Sequence, residues 1–390
     1  MNKRPFLLLP LAMALAAAAV ACGGGEDNPF QLESQTVAQA GHAAALAFAP
    51  DGRLFFAEQF SGDIRVVGAD GKAQDEPWAH VDVANWLNQD WGLTGLAIDP
   101  DFAGNGYVYA FYTEPAPSPA DDPIARPKIV RFTDEGGRGT SPQVIVDDFP
   151  TTRKAHQGFN ANGSLHFGPD DALYAMMGDY DFGKDAGPNG RPPAQDPSLP
   201  LGKMLRLDSA GAALPDNPFA GQEGADPRVF AWGFNHATNF TFHPQTGAIY
   251  QSDNTGGCEE INIIKPGGDY GWPDVGDFPF PDCNFGEQVK AIHLLAKPGM
   301  KPGGFLSFVD VAGLEFVSAS AYPTLGDGLL LCEAVTKQMR RLTLSGEALD
   351  QVTADDVVIK DCSGDVTAGP DGAIYYSSET DIRKLVAKKP

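Results

Sequence analysis

The fold is indicated by the stretch Ala45-Leu46-Ala47-Phe48-Ala49-Pro50-Asp51-Gly52-Arg53-Leu54-Phe55-Phe56. It contains an apolar run, a Pro-Asp-Gly turn and a second run of apolar and aromatic residues, an order that is typical of a β-hairpin. Proline fixes φ at the first turn position, aspartate bonds its own backbone, and glycine supplies a positive φ. A lone hairpin is only marginally stable, so the rest of the chain must supply its partners.

The same hairpin pattern recurs along the whole chain. Further copies pair residues 96–98 with 107–109, 165–167 with 173–174, and 240–242 with 248–250, and two more are centred on 323–331 and 370–376. With the first copy this makes six, and no long helical period lies between them. The pattern predicts an all-β chain that folds as a six-bladed β-propeller, in which each blade covers its neighbour. A β-sandwich or a two-domain all-β protein also uses short strands at even intervals, and these remain the alternatives.

The copies are spaced more widely than a minimal blade requires. Successive prolines of the pattern are 47 to 79 residues apart, whereas a blade with tight loops uses about 40–50 residues. We expect the excess to form long loops near residues 112–150, 180–230 and 270–310. Long loops on a rigid scaffold are where functional residues concentrate.

The N-terminus has the pattern of an exported lipoprotein. Lys3 and Arg4 precede an apolar run that ends in Ala19-Val20-Ala21-Cys22, which is typical of a secretory signal with a lipobox. Residues 1–21 are therefore predicted to be a signal peptide, residues 22–35 a flexible tether, and residues 36–390 the propeller. Lipid on Cys22 would hold the protein at the cell envelope, on its periplasmic or outer surface. An uncleaved anchor helix is the alternative.

The charge of the chain excludes some classes of partner. Its formal net charge is −23, and loss of Lys3 and Arg4 with the signal peptide leaves −25. Such a surface repels nucleic acid and anionic lipid, so we expect membrane contact through the lipid anchor alone. The charge suits a neutral sugar, a cation or Ca²⁺, and an acidic surface that only keeps the protein soluble is the alternative.

Four cysteines remain after Cys22, namely Cys258, Cys283, Cys332 and Cys362. Four cysteines allow three pairings. The pairing Cys258–Cys283 with Cys332–Cys362 is favoured because each bond closes a loop of similar, moderate length, as an oxidising compartment permits. Buried free thiols are the alternative, and the absence of CxxC pairs argues against a zinc site.

Four stretches of the chain together carry a family resemblance. They are residues 92–102, 167–170 with 177–179, 201–208, and 259–262 with 267–273. These stretches resemble the glucose/sorbosone dehydrogenase family of soluble sugar dehydrogenases that depend on pyrroloquinoline quinone (PQQ). The resemblance covers essentially the whole mature chain. It implies a six-bladed propeller, which agrees with the hairpin count.

The resemblance implies oxidation of an aldose at the mouth of the central channel. In that chemistry a histidine takes the proton of the substrate hydroxyl, an aspartate orients the histidine, and hydride passes to PQQ. The aspartate corresponds to Asp179. Direct counting places the histidine at Asn160, whereas a short loop insertion would bring His156 there. His156 and Asp179 are the predicted catalytic pair.

The positions that hold PQQ in the family differ in this chain. The family stretch Gly-x-Arg-Asn-Pro reads Gly233-Phe234-Asn235-His236-Ala237 here, which removes an arginine. Two late arginine positions read Cys362 and Gly364. Because PQQ has three carboxylates, these losses bear directly on whether it is bound.

The remaining site predictions concern the cofactor and a metal ion. The candidates for cofactor binding are Asp90, Asn235, His236, Lys337 and Arg340. Ca²⁺ is expected at the main-chain carbonyls of Asn254 and Thr255, because the family uses carbonyls just before its Glu-Ile-Asn stretch.

Two functions are compatible with these residues. The first is a PQQ-dependent oxidoreductase that acts on a small sugar and passes electrons to an acceptor that the sequence does not identify. The second is a non-catalytic envelope propeller that binds a glycan, a small ligand or a protein, since the PQQ-binding arginines are missing.

Overall fold

The computed structural model of the chain describes residues 28–84, 90–117, 124–153, 160–183, 185, 187, 189–255, 258–274, 283, 288–304 and 306–389. The predicted signal peptide, Cys22 and His156 lie outside this part of the chain. No helix within the described ranges is both long and apolar enough to cross a membrane.

Six antiparallel sheets, one for each blade, form the described fold. Blade one contains β2 (Ala43–Phe48), β3 (Leu54–Glu58), β4 (Asp63–Val67) and β5 (Ala79–His80). Blade two contains β6 (Leu93–Ile98), β7 (Tyr107–Ala116), β8 (Ile124–Glu135), β9 (Arg138–Val146) and β10 (Thr152–Arg153), with the short helix α1 (Phe102–Asn105) between β6 and β7. Blade three contains β11 (Gly163–Phe167), β12 (Leu173–Met177), β13 (Lys203–Leu207) and β14 (Val229–Trp232), with a 3₁₀ turn at Pro193–Gln195.

The other three blades follow the same order along the chain. Blade four contains β15 (Ala237–Phe242), β16 (Ile249–Thr255), β17 (Cys258–Ile264) and β18 (His293–Leu295). Blade five contains β19 (Val311–Val317), β20 (Gly328–Glu333), β21 (Gln338–Ser345) and β22 (Gln351–Lys360). Blade six contains β23 (Val366–Ala368), β24 (Ile374–Ser377), β25 (Asp381–Ala387) and β1 (Leu32–Gln39).

The innermost strand of each blade packs against the innermost strands of the two neighbouring blades. These strands are β2, β6, β11, β15, β19 and β23, and together they close a ring. The six predicted hairpins correspond to the first two strands of the six blades. The six-bladed propeller is therefore confirmed, and the sandwich alternative is excluded.

Blade six contains both ends of the described chain. Strand β1 pairs with β25 in an antiparallel register that runs from Leu32 opposite Ala387 to Gln39 opposite Asp381. The outer strand of this blade thus comes from the start of the chain and the other three from its end. Since β1 begins at Leu32, it includes the last four residues of the segment predicted to be the tether.

Apolar side chains fill the space between neighbouring blades. Between blades one and two, Phe55 packs edge-to-face against Trp78, and Trp78 packs in the same way against Phe132. The indole N–H of Trp78 donates to Asp134 Oδ1 at 2.7 Å, so its polar atom is satisfied. Burying a large apolar side chain stabilises the fold by about 1.5–3 kcal/mol, so the apolar interfaces between blades are a main source of the stability of the ring.

Both favoured disulfides are present. Cys258 is bonded to Cys283, and Cys332 is bonded to Cys362, with Cα–Cα distances of 5.5 and 5.1 Å. The second bond joins β20 of blade five to the segment that leads into blade six. The predicted pairing is thus confirmed.

The prediction of a long loop near residues 112–150 is wrong for most of this range, which forms strands. Strands β7, β8 and β9 occupy most of this region, and β7 pairs with β8 over ten positions. The prolines Pro115 and Pro127 lie inside these strands, although proline usually marks the end or the edge of a strand. The extra residues of blade two therefore lengthen its sheet.

Candidate functional site

A cavity of ≈ 240 Å³ lies at the end of the propeller axis where the innermost strands begin. We call it the axial mouth. Its lining residues come from all six blades, and those used below are Gln59, Asp90, Asn162, His236, Asp310 and Glu379. Several lining residues immediately precede an innermost strand, as His236 precedes β15 and Asp310 precedes β19. The ring therefore converges these side chains on one point.

His236 lies between two carboxylates of the mouth. Its Nε2 is 3.1 Å from Asp90 Oδ2, and its Nδ1 is 3.7 Å from Asp310 Oδ1. Burial alone would lower the pKa of His236, but Asp90, Asp310 and Glu259 outweigh burial and raise this pKa to about 10. His236 is therefore an imidazolium at neutral pH. It can donate hydrogen bonds, but it cannot accept a proton.

Asp90 is the carboxylate of the mouth that is fixed by two hydrogen-bond donors. Besides His236, its Oδ2 accepts the backbone N–H of Asn160 at 2.7 Å. Burial would raise the pKa of Asp90, but His236 and the amide of Asn160 lower it overall. Asp90 thus stays ionised at neutral pH.

Asp310 has an unusual backbone conformation that a buried glutamate stabilises. Its φ is +59°, in the left-handed region that non-glycine residues seldom adopt. Glu259 accepts the backbone N–H groups of Val309, Asp310 and Val311 at 3.2, 2.8 and 3.0 Å. Glu259 is fully buried. These three bonds fix the turn that places Asp310 at the mouth.

Asp179 is a buried acceptor for five donors. Oδ1 accepts from Asn160 Nδ2 at 3.0 Å, from the amide of Asp181 at 3.0 Å and from Asn235 Nδ2 at 3.3 Å. Oδ2 accepts from the amide of Gly183 at 2.8 Å and from Trp272 Nε1 at 2.6 Å. Burial raises the pKa of Asp179, although the donors oppose this rise.

Asn160, the position found by direct counting, lies beside Asp179. Its side chain donates to Asp179 and its backbone to Asp90, so it links the buried carboxylate to the mouth. His156 lies outside the described residues. Its pairing with Asp179 stays a prediction.

The candidate cofactor residues lie in three different surroundings. Asp90 and His236 line the mouth, and Asn235 faces Asp179. Lys337 Nζ pairs with Glu379 Oε1 at 2.8 Å, with both side chains about half exposed. Arg340 is buried and does not line the mouth. It pairs with Glu333 and Asp355 and donates to the carbonyl of Ala296 at 3.0 Å.

The late positions that carry arginine in the family cannot carry a cation here. Cys362 is bonded to Cys332. A Cβ atom on Gly364 would lie 2.3 Å from Ser377 Oγ and 2.7 Å from the carbonyl of Ala43, so no side chain fits without a shift of the backbone. Together with Asn235, all three arginine positions are uncharged.

The predicted Ca²⁺ site involves main-chain carbonyls and stays a prediction. Asn254 and Thr255 end β16, opposite Glu259 and Cys258 of β17. The backbone N–H of Asn254 donates to the carbonyl of His236 at 3.2 Å, which brings this strand end close to the mouth. Within the described ranges, no group of three or more His, Cys, Asp or Glu side chains could hold a metal ion.

Asp310 and the role of Glu259 were not predicted from the sequence. A usable signal was the residue just before each innermost strand, since His42, Asn162, His236 and Asp310 all take this position and all line the mouth. The fifth hairpin copy is weak in sequence, so its first strand and the residue before it were not identified.

We expect the protein to lose stability as the pH rises from 5 to 8. Burial raises the pKa of Asp253, Glu315 and Asp365 to about 7 and that of Glu259 to about 8. In this range the unfolded chain has released these protons while the native protein keeps them, so the free energy of unfolding falls as the pH rises. The raised pKa of His236 acts in the same direction above pH 6.5. The pKa of Lys203, lowered by burial to about 7, and the lowered pKa of His166 act in the opposite direction, but they involve two protons against five.

The melting temperature should fall by at least about 5 °C between pH 5 and pH 8 at constant ionic strength, because each retained proton contributes about 1.4 kcal/mol per unit of pKa shift. Calorimetry or circular dichroism would measure this. A melting temperature that stays level or rises over the same range would contradict the expectation.

Comparisons with known proteins agree with the fold. The sequence pattern of the family described as Glucose / Sorbosone dehydrogenase matches residues 40–387. The chain is 26% identical over 409 residues to the aldose sugar dehydrogenase YliI of Escherichia coli K12, covering 100% of both chains. It is 28% identical over 276 residues to quinoprotein glucose dehydrogenase B of Acinetobacter calcoaceticus, covering 66% of this chain and 56% of the relative.

A solved structure gives the same result. An oxidoreductase from Thermus thermophilus, assigned as a glucose dehydrogenase, superposes with a TM-score of 0.73 at 28% identity and covers 91% of this chain and 100% of its own. The family match spans nearly all of the described propeller. The chain belongs to the glucose/sorbosone dehydrogenase family.

Proposed function

We propose that the protein is a sugar dehydrogenase-like oxidoreductase that takes a neutral aldose at the axial mouth. The array of Asp90, His236 and Asp310 is the observation that carries this proposal. Carboxylates accept hydrogen bonds from sugar hydroxyls, and an imidazolium donates hydrogen bonds to them. These three side chains can therefore bind neighbouring hydroxyls of a sugar both as donors and as acceptors. The names of the relatives, an aldose sugar dehydrogenase and a glucose dehydrogenase, support the same class of substrate.

The described residues do not fit PQQ. The carboxylates that line the mouth are Asp90, Asp310 and Glu379. Against them stands the His236 imidazolium, while Lys337, which is not a lining residue, pairs with Glu379 and offsets its charge. A molecule with three carboxylates would meet these groups at low dielectric without an arginine to offset their repulsion. No step of the reaction is therefore assigned to PQQ.

The residues of the chain can still orient a sugar. Asp90 is ionised and anchored, so it offers a fixed acceptor, while His236 offers a fixed donor. The side-chain Nε2–H of Gln59 donates to the carbonyl of Trp91 at 3.0 Å. The side-chain oxygen of Gln59 can then accept a hydrogen bond from a sugar hydroxyl. We propose His156 as the base that takes the hydroxyl proton, because His236 is already protonated, while the hydride of the same sugar carbon passes to a two-electron acceptor supplied from outside the chain.

A non-catalytic function is the second candidate, and the three uncharged arginine positions favour it. In this case the propeller binds a neutral glycan at the same mouth and carries out no oxidation. We further propose that the protein is exported and anchored at the cell envelope through Cys22. The lipobox before this residue supports that location.

One experiment separates the two candidates. The purified protein without its signal peptide is mixed with a panel of neutral aldoses, and reduction of an artificial electron acceptor is followed with and without added PQQ and Ca²⁺. Sugar binding is measured in parallel by titration calorimetry. We expect aldose-dependent reduction, and we expect His156→Ala to abolish it without lowering the melting temperature. Binding without reduction would favour the non-catalytic candidate, and the absence of both would overturn the two together.

A further inference from the structure

We infer that Lys203 is a positioning residue that holds the indole of Trp272 on the carboxylate of Asp179. It acts through its ammonium group, which fastens the segment 193–201, and through Gln195 of this segment. Lys203 is the first residue of β13; it is fully buried and does not line the axial mouth. The inference rests on the proposed function where it concerns turnover, but its contacts can be tested without a substrate.

The ammonium group of Lys203 is used entirely for contacts with the main chain. Its Nζ donates to the carbonyls of Pro193, Ala194 and Leu201 at 2.8, 2.9 and 2.8 Å. An ammonium has three N–H donors and a neutral amine has two, so three carbonyls around one nitrogen require the charged form. A buried charge is costly unless it is hydrogen-bonded, and these bonds fasten both ends of segment 193–201 to the start of β13.

Segment 193–201 carries Gln195, which links it to Trp272. The side-chain Nε2 of Gln195 donates to the carbonyl of Trp272 at 2.9 Å and to Asp269 Oδ1 at 3.0 Å. These two bonds fix the turn from which the indole of Trp272 projects. Trp272 Nε1 donates to Asp179 Oδ2 at 2.6 Å. The contacts therefore continue from the buried ammonium group to this carboxylate.

The strand that starts with Lys203 lies beside the strand that leads to Asp179. Lys203 is opposite Met177 in the pairing of β13 with β12, and the amide of Gly202 donates to the carbonyl of Gly178 at 2.9 Å. Burial lowers the pKa of Lys203 to about 7, although Asp179 is one of four carboxylates that oppose this change. Because the attraction is mutual, the ammonium opposes the rise that burial causes in the pKa of Asp179.

The experiment follows the indole of Trp272 by NMR in protein with ¹⁵N-labelled tryptophan, and it needs no substrate. The Nε1–H signal is assigned from its loss in Trp272→Phe, and its change with pH reports the ionisation of Asp179, the acceptor of this N–H. Lys203→Met removes the three donors and the charge, Lys203→Arg keeps a charge, and Gln195→Met removes the link while the lysine stays. Lys72→Met, which removes an exposed lysine outside the mouth, is the matched control.

In Lys203→Met, the pH at which the Trp272 signal titrates should rise by at least about half a pH unit, because the carboxylate of Asp179 loses an opposite charge. Lys203→Arg should lie closer to the wild type than to Lys203→Met, and Lys72→Met should match the wild type. At pH 6 the signal should also move in Gln195→Met, and the double variant should move it no further than Lys203→Met alone. The other carboxylates that interact with Lys203 or Asp179 are unchanged in every variant; they are Asp196, Asp226, Asp253 and Asp269.

A Trp272 signal with its wild-type position and titration in Lys203→Met would overturn the inference. Effects of Lys203→Met and Gln195→Met that simply add would also overturn it, since the lysine would then act by another route. A melting curve shows whether each variant folds. If Lys203→Met does not fold, an unchanged Trp272 signal in Gln195→Met overturns the inference in its place.

Turnover connects these contacts to the proposed function. Aldose-dependent reduction should fall by about tenfold or more in Lys203→Met, while sugar affinity stays within about threefold of the wild type, because Asp179 does not line the mouth. Wild-type turnover in a variant whose Trp272 signal has moved would overturn the positioning role. If the wild type reduces no acceptor with any aldose but the Trp272 signal behaves as expected, the proposed function fails and the contacts inferred here stand.

Discussion

Deletion of residues 28–40 is expected to abolish cooperative folding of the propeller. These residues include β1, the outer strand of blade six, which pairs with β25 along its whole length. Leu32 is buried in one cluster with Tyr322 and Leu385, and Asn28 Nδ2 donates to the carbonyl of Val358 in blade five at 2.8 Å. Without this segment β25 becomes an unpaired edge and the ring is no longer closed by pairing between its two ends.

The deletion should remove the sharp transition in urea unfolding followed by circular dichroism. A protein that begins at residue 28 is the matched control, and it should unfold like the protein that begins at residue 22. If the two deletions share one unfolding midpoint, blade six is stable without β1 and the closure argument fails.

Asp179→Ala is expected to have the second largest effect. The substitution leaves five donors without their acceptor, among them the side chains of Asn160, Asn235 and Trp272. Buried donors without partners cost about 1–3 kcal/mol each before the structure relaxes, so we expect a loss of about 3–5 kcal/mol in the free energy of unfolding. Turnover and sugar binding should fall with it, since Asn160 also holds Asp90.

Asp185→Ala is the matched control for this change. Asp185 is an exposed carboxylate in the same loop, and its removal should shift the unfolding midpoint little. Equal midpoints for the two variants would show that the donors around Asp179 find water or other acceptors, and that the carboxylate is not an anchor. Asp179→Asn should fall between them, because one of its two oxygens becomes a donor that faces other donors.

The fold could be predicted from the sequence because its repeating unit, the β-hairpin, is specified by residues that are close together in the chain. Each hairpin is specified by a few turn residues, and six copies together determine the number of blades. The disulfide pairing was accessible for the same reason, since each bond links cysteines only 25 or 30 residues apart. The extra strands of blade two could not be predicted in this way. Pro115 and Pro127 indicate strand ends locally, but the pairing of the long strands β7 and β8 outweighs that preference.

The site was accessible only in part. Asp90 and His236 were among the predicted cofactor-binding residues, and both line the mouth. Arg340 was a candidate because it lies within a few residues of the position at which the family resemblance implies a lysine, but the sequence does not show that its side chain contacts Glu333 and Asp355. Asp310 was missed because its orientation depends on three bonds from Glu259, a residue about fifty positions earlier, and no local pattern reveals such a contact.

The path of β1 determines how an anchored propeller would face its surroundings. Innermost strands begin at the axial mouth, and successive strands of a blade alternate in direction, so β1, the fourth strand of blade six, begins at the opposite end. Leu32 is the tenth residue after Cys22, which limits the distance between the two to about 35 Å. If Cys22 carries lipid, as we propose, the bilayer would lie within about 35 Å of the base of the molecule, and the opening, at the other end, would be the part farther from the attachment point.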